Sequence, residues 1–342
     1  ICWGLAISLS LLLPREASAI TPQGQQVPTP FPKVALSTIG KPVKMPPAPK
    51  PAPPYTVAWS APVDANGALS LLLTSSALVV TGVDAPTRAH ALDDGRVLWT
   101  SPTGGETDPV QSGTAVILAA GRELSALDLA TGQRRWSVNL GGATLGAAAA
   151  GDSIYVAAGA AVSAYRATDG AQIWSATTGS LPVASAAASD TIVAVALDDG
   201  TLAAFEPASG RLLWRVTLPV TPTSIIANAD RVYFGTKENF ACAYHAATGQ
   251  RDWCYPVRVT PVGRPALDAD HVYWAFLDNT VRVFDRRNGA RRQSVALNAR
   301  PLGGPKLGGT QLIVPLVTGE FVFFTPGDTF TPTRFDDPAA KA

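Results

Sequence analysis

The chain has 342 residues, 46% hydrophobic and only 15% charged, with 30 Gly, 29 Pro and a single Met. An average globular chain carries about 25% charge; here the apolar content suffices for a large core, which excludes a charged disordered protein. Frequent Gly and Pro exclude a helical bundle, and the net charge of +1, 27 basic against 26 acidic residues, gives no electrostatic reason to expect nucleic acid.

In chain order, the first element is an address. Ile1 to Leu13 is apolar and is followed by Ala17-Ser18-Ala19, a small-x-small cleavage pattern. Residues 1–19 therefore read as a signal peptide cut after Ala19, with export to the periplasm or medium and no membrane span after cleavage. The alternative is an uncleaved anchor, but the 13 apolar residues fall short of the roughly 20 that a spanning helix needs. Ile20, not Cys, follows the site, so no lipid anchor is expected. The missing Met and basic n-region point to a start upstream of Ile1. Residues 20–54 form a Pro-rich linker whose only charges are Lys33, Lys41, Lys44 and Lys50. Its Pro46–Pro54 run predicts extended polyproline II.

From there a pattern repeats: an apolar strand, a turn with Gly, then Trp. Trp59, Trp99, Trp136, Trp174, Trp214 and Trp253, with Gln293 in the next place, are separated by 40, 37, 38, 40, 39 and 40 residues. Preceding apolar strands begin at Leu78, Val116, Ile154, Ile192, Val232, Val272 and Leu312, each behind a weaker Gly/Ala/Ser-rich strand. One repeat is thus four strands, A to D from inside out. A unit of this size buries its faces only by stacking on its neighbours. The expected fold is an all-β, seven-bladed β-propeller of four-stranded antiparallel blades over residues 55–330, closed by the N-terminal strand around Trp59. Residues 331–342 read as a disordered tail.

The copies Ala126-Leu127-Asp128-Leu129-Ala130-Thr131-Gly132-Gln133-Arg134-Arg135-Trp136 and their variants resemble the tryptophan-docking repeats of PQQ-like propellers, a family that includes quinoprotein dehydrogenases and BamB-type outer-membrane assembly proteins. The resemblance covers roughly Tyr55 to Gly327. It implies that Trp59, Trp99, Trp136, Trp174, Trp214 and Trp253 dock between blades as structural residues. It also leaves two functions open. One is an exported, non-catalytic, monomeric scaffold that binds envelope proteins; the other is a small quinone- or sugar-binding oxidoreductase using PQQ with calcium. The quinoprotein enzymes are longer and carry a vicinal Cys-Cys pair, which is absent here, so the expectation is no cofactor, no metal and no catalytic residues. His90 and His245 fall in C strands and His271 in a B strand, the His90 column varies between repeats, and no His-Glu-x-x-His, Cys-x-x-Cys, Gly-x-Ser-x-Gly or P-loop occurs.

Two local expectations remain. Cys242 and Cys254 occupy columns held by Ser125 and Ser137, and by Ser163 and Ser175, in other repeats. These columns should face each other across the C–D hairpin and form a disulfide in an oxidising compartment. The B–C and D–A connections share the more variable face, where binding loops are usually grafted. The candidate partner residues there are Lys237, Glu238, Asn239, Phe240, Asp278 and Asn279. Phe240 is the expected aromatic anchor, with folding back over its own blade as the alternative.

Overall fold

The computed structural model describes residues 69–83, 85–308, 311–318, 321–324 and 332–334. The signal peptide, the linker and Trp59 lie outside the described residues. The described residues fall into seven four-stranded antiparallel sheets in chain order, making an all-β propeller of four-stranded blades.

Inner (A) strands are Leu69–Leu73, Val110–Ser112, Thr144–Ala150, Ala187–Ala188, Pro222–Ala227, Pro261–Leu267 and Lys306–Gly308. The B strands are Ala77–Gly82, Ala115–Ala120, Ser153–Ala158, Val193–Ala196, Arg231–Thr236, His271–Phe276 and Gln311–Pro315. The C strands are Ala85–Ala91, Glu123–Asp128, Ala161–Arg166, Thr201–Phe205, Phe240–His245, Thr280–Asp285 and Phe321–Phe324. Outer (D) strands are Val97–Ser101, Arg134–Asn139, Gln172–Thr177, Leu212–Thr217, Arg251–Pro256, Arg291–Ala296 and Pro332–Arg334.

The B and C strands are short apolar runs because both of their faces are covered. Their side chains pool with those of the neighbouring sheet. Ile117, Leu124 and Ile154 join sheets two and three, and Tyr155, Val195 and Phe205 join three and four. Ile192, Phe234 and Tyr244 join four and five, and Tyr233, Trp274 and Phe284 join five and six. At about 25 cal/mol per Å² of apolar surface removed from water, these inter-sheet layers are the main stabilising term. At Gly308 in sheet seven a Cβ would fall 2.4 Å from Leu73 Cδ2 in sheet one, so the first and last inner strands abut.

Sheets one to five carry the full strand–turn–docking pattern; sheet six keeps it with Gln293 for Trp, and the last departs from it. Sequence reading places the strand around Trp59 on the outer edge of the last blade. Instead, Pro332–Arg334 pairs with Phe321–Phe324 there, drawn from residues read as a tail. A strand that follows closely in the chain completes the edge with a smaller loop-closure cost than one from the far terminus.

The repeat works through one contact. Each docking Trp pairs with a C-strand Ala (Trp99 with Ala89, Trp136 with Ala126, Trp174 with Ala164, Trp214 with Ala204, Trp253 with Ala243). A β-bulge directly beside that pair leaves two outer-strand residues opposite one, which sharpens the local twist. The indole N–H then donates to a carbonyl in the next blade's C–D turn: Leu129, Ala167, Pro207, Ala246 and Arg286, at 2.8, 2.9, 2.7, 2.7 and 3.3 Å. The turn Gly lies under the same ring. A Cβ on Gly132, Gly170, Gly210, Gly249 or Gly289 would come within 2.4–2.7 Å of the docked Trp, and all five have φ between 69° and 73°. In sheet six Gln293 takes the Trp place opposite Val283.

An acid at the end of strand C builds the turns of sheets two and six, Asp128 and Asp285. Asp128 Oδ1 accepts from the Ala130 and Thr131 N–H groups at 3.0 and 2.9 Å, and Oδ2 from Arg135 at 2.6 Å. The hydrogen bond from Arg135, then that from Thr131, holds the Asp128 carboxyl down from 3.8 to about 2. Because the folded-state value is the lower one, the contribution is present above the ordinary carboxylate range and is lost as pH falls towards 2. The stability gap between the native chain and Asp128→Asn should therefore shrink from pH 5 to pH 2 in denaturant titrations. A gap that stays constant over that range would reject this.

Candidate functional site

The D–A and B–C connections gather on one face, and the predicted partner residues lie there as turn builders. Asn239 and Asn279 have φ of 63° and 59°, the left-handed geometry that Asn tolerates. Their carbonyls accept the first N–H after strand D, from Val257 at 2.8 Å and Leu297 at 2.7 Å; Leu140 to Arg122 and Leu218 to Gly200 repeat the device. Glu238 Oε2 accepts the Thr221 N–H at 2.8 Å. Asp278 pairs with Arg282, whose guanidinium lies 4.2 Å over the Phe276 ring and donates to the Val257 carbonyl at 2.6 Å. Lys237 donates its backbone N–H to the Thr221 carbonyl. Phe240 is partly buried and packs against the core layer of sheets four and five.

What stands exposed on this face is a different set of residues. Val83, Leu145, Leu181, Leu277, Leu302 and Val317 are each between 39% and 54% exposed. Strand periodicity does not reveal them, because all six lie in connections or at strand starts, where alternation breaks down.

Cys242 and Cys254 are direct cross-strand partners and form a disulfide, with Cα atoms 4.0 Å apart. The same columns in sheet three hold Ser163 and Ser175, hydrogen-bonded at 2.9 Å. The bridge closes a loop spanning a sequence separation of 12, so reduction should cost about 3 kcal/mol on the chain-entropy account. A melting midpoint unchanged by reductant, with two alkylated thiols seen by mass spectrometry, would reject that figure.

The axis of the propeller encloses a cavity of about 560 Å³, with residues of all seven sheets in its wall. Leu71, Val110, Ile226, Leu267 and Leu307 give the wall its apolar character. At its inner level Arg264 reaches out of an irregular Gly263-Arg264-Pro265 step, where the A–B register shifts and Gly263 has φ 64°. Its Nε donates to the Ile225 carbonyl at 3.1 Å and its Nη2 to Ala186 at 2.8 Å. Burial pulls the Arg264 guanidinium below its ordinary value, and the Asp108 carboxylate opposes this. Lys306 pairs with Asp108 across sheet one. Towards the A–B and C–D face the wall includes Asp268 and Arg286. Asp268 accepts the Tyr273 hydroxyl at 2.5 Å and the Asp270 and His271 N–H groups at 2.8 and 2.6 Å. Arg286 donates from Nη1 to the Asp268 carbonyl at 3.1 Å, while its buried Nε has no partner.

His90, His245 and His271 lie in three different strands of sheets one, five and six. Among the described residues no group of three or more His, Cys, Asp or Glu side chains is arranged to hold a metal ion. Among the described residues no helix is long and apolar enough to cross a membrane.

The fold and its repeated Trp–carbonyl–Gly contact define a tryptophan-docked β-propeller. The chain belongs to the PQQ-like propeller family: a family profile described as outer membrane protein assembly factor BamB matches residues 79–293 and 158–329. The crystal structure of BamB from Moraxella catarrhalis superposes with a TM-score of 0.56 at 16% identity, covering 73% of this chain and 82% of that one. A computationally designed protein, Ika8, superposes with a TM-score of 0.55 at 15% identity, covering 80% of this chain and 100% of that one. At these identities the likeness speaks to the fold alone. No curated protein matches the chain in sequence.

Proposed function

We propose that this chain is a non-catalytic, protein-binding propeller of the cell envelope that presents its D–A and B–C face to a partner involved in envelope assembly. The observation that carries the reading is membership of the family described by the BamB profile. It is supported by the exposed Val83, Leu145, Leu181, Leu277, Leu302 and Val317 on that face, because apolar side chains left in water are favourable contacts for a second protein. Export is part of the proposal: the apolar run ending at Ala17-Ser18-Ala19 supports it, and so does the Cys242–Cys254 bridge, since such bonds persist in oxidising compartments.

Photo-crosslinking side chains placed at Leu145, Leu181 and Leu302 in intact cells should give discrete adducts. The same groups at Leu92 and Leu212, which lie towards the opposite face, should not. Equal adducts from both faces, or none from a folded protein, would overturn the choice of face. Addition of PQQ and calcium should give no dye reduction; turnover would overturn the non-catalytic reading in favour of an oxidoreductase.

A further inference from the structure

The axial cavity is built differently from the rest of the propeller. Counted from the A–B strand pairs, Asp108 and Arg264 stand where sheets three, four and five have Gly146, Ser185 and Ser224, so two charged residues replace small ones. Three basic side chains, Arg264, Arg286 and Lys306, share the wall with Asp108 and Asp268, and Asp230 lies 3.9 Å from Arg286. The acids are already engaged. Asp108 is paired with Lys306, and Asp268 takes hydrogen bonds from Tyr273, Asp270 and His271.

Arg264 is not neutralised in this way. Among the described residues its hydrogen bonds go to the neutral carbonyls of Ile225 and Ala186, through Nε and Nη2, while Asp108 acts on it only through its charge, so Nη1 remains for another acceptor. A guanidinium in that state is the side chain best suited to a carboxylate, which it can grip with two parallel N–H donors. A desolvated cation held by carbonyls alone gains more from an anion than one already in water.

The remaining space sets the body of the ligand. From Arg264 to Asp268 the inner strand spans four steps, or about 13 Å at roughly 3.3 Å per residue. The wall over that length is Leu71, Val110, Ile226, Leu267 and Leu307. The volume of about 560 Å³ lies within the usual range of small-molecule sites, about 300–1,000 Å³.

We infer that the axial cavity binds an amphiphilic monocarboxylate, with its head on Arg264 and its apolar body directed along the inner strands towards the A–B and C–D face. This site is separate from the proposed protein-docking face and does not depend on it.

The test uses the full chain and three probes: octanoate, 1-octanol with the same body and no charge, and acetate with the head alone. Calorimetry should give one saturable octanoate site per chain, at least tenfold tighter than either of the others. Arg264→Lys keeps the charge but loses the two-pronged grip, and should weaken octanoate at least tenfold while 1-octanol is unchanged. A diazirine-bearing octanoate on the unmodified chain provides a second readout, for the case in which that variant does not fold. Its label should map to the segments around Leu71, Val110, Ile226, Leu267 and Leu307 and be competed away by octanoate. Absence of saturable binding, equal affinity for 1-octanol, or label confined to the outer surface would each overturn the site.

Discussion

Replacing Trp253 with Ala is expected to cost about 3–5 kcal/mol of stability, the usual range for truncating a buried large aromatic. The ring is only 5% exposed and is held from several sides. Tyr255 stacks on it with centroids 6.0 Å apart, Trp274 meets it edge-on at 6.4 Å, and Tyr233 is tilted against it at 6.1 Å. Its N–H reaches the Arg286 carbonyl of the next blade at 3.3 Å. Truncation opens a void between sheets five and six and leaves that carbonyl without its indole donor. The melting midpoint should fall on the order of 10 °C. Trp136→Ala should cost less, because its ring is only partly buried and so displaces less water-free contact. Equal losses at the two positions would mean that burial is not what the docking contact contributes.

The repeat was legible because its signal is redundant. A Trp and a Gly recur at nearly constant spacing, and each supports the other's placement. The cysteine pair was legible for the same reason, since serines in sister repeats mark the two columns as neighbours. The edge of the last sheet was not, because Pro332–Arg334 lacks the Trp that marks sheets one to five. From sequence Phe240 stands open between a surface anchor and a ring folded back over its own blade; it begins a C strand whose next four residues are buried, and it packs against the core layer of sheets four and five. Arg264 gave no signal at all: its reach across the axis depends on a local register shift, which no spacing rule encodes.

The same division runs through the functional reading. Positions that recur from blade to blade, such as the five docking Trp and the Gly beneath each, serve the stacking of sheets and say nothing about a ligand. Positions that break the repeat carry the chemistry. The charges on the axis depart from their column and line a cavity of about 560 Å³, whereas the exposed apolar side chains lie apart from it in the connections of one face.

Gly210→Ala should be strongly destabilising, and Gly113→Ala is its control. Both glycines are left-handed, with φ of 72° and 55°, so each alanine pays roughly 1–2 kcal/mol of backbone strain. They differ in what surrounds the added carbon. At Gly113 nothing lies within 4 Å, whereas at Gly210 the Cβ would sit 2.4 Å from Trp174 Cε3 and 2.7 Å from Cδ2. Overpacking of that kind adds about 1–3 kcal/mol, because the indole is pinned by its 2.7 Å bond to the Pro207 carbonyl and cannot withdraw. A Gly210→Ala loss about 2 kcal/mol larger than that of Gly113→Ala in denaturant titrations is the expected result. The cause can be separated from strain by a double-mutant cycle. In a Trp174→Val background the collision disappears while the left-handed backbone remains, so the cost of Gly210→Ala should fall to that of Gly113→Ala. An unchanged cost in that background would place the whole penalty in the backbone and leave the Trp–Gly contact without energetic weight.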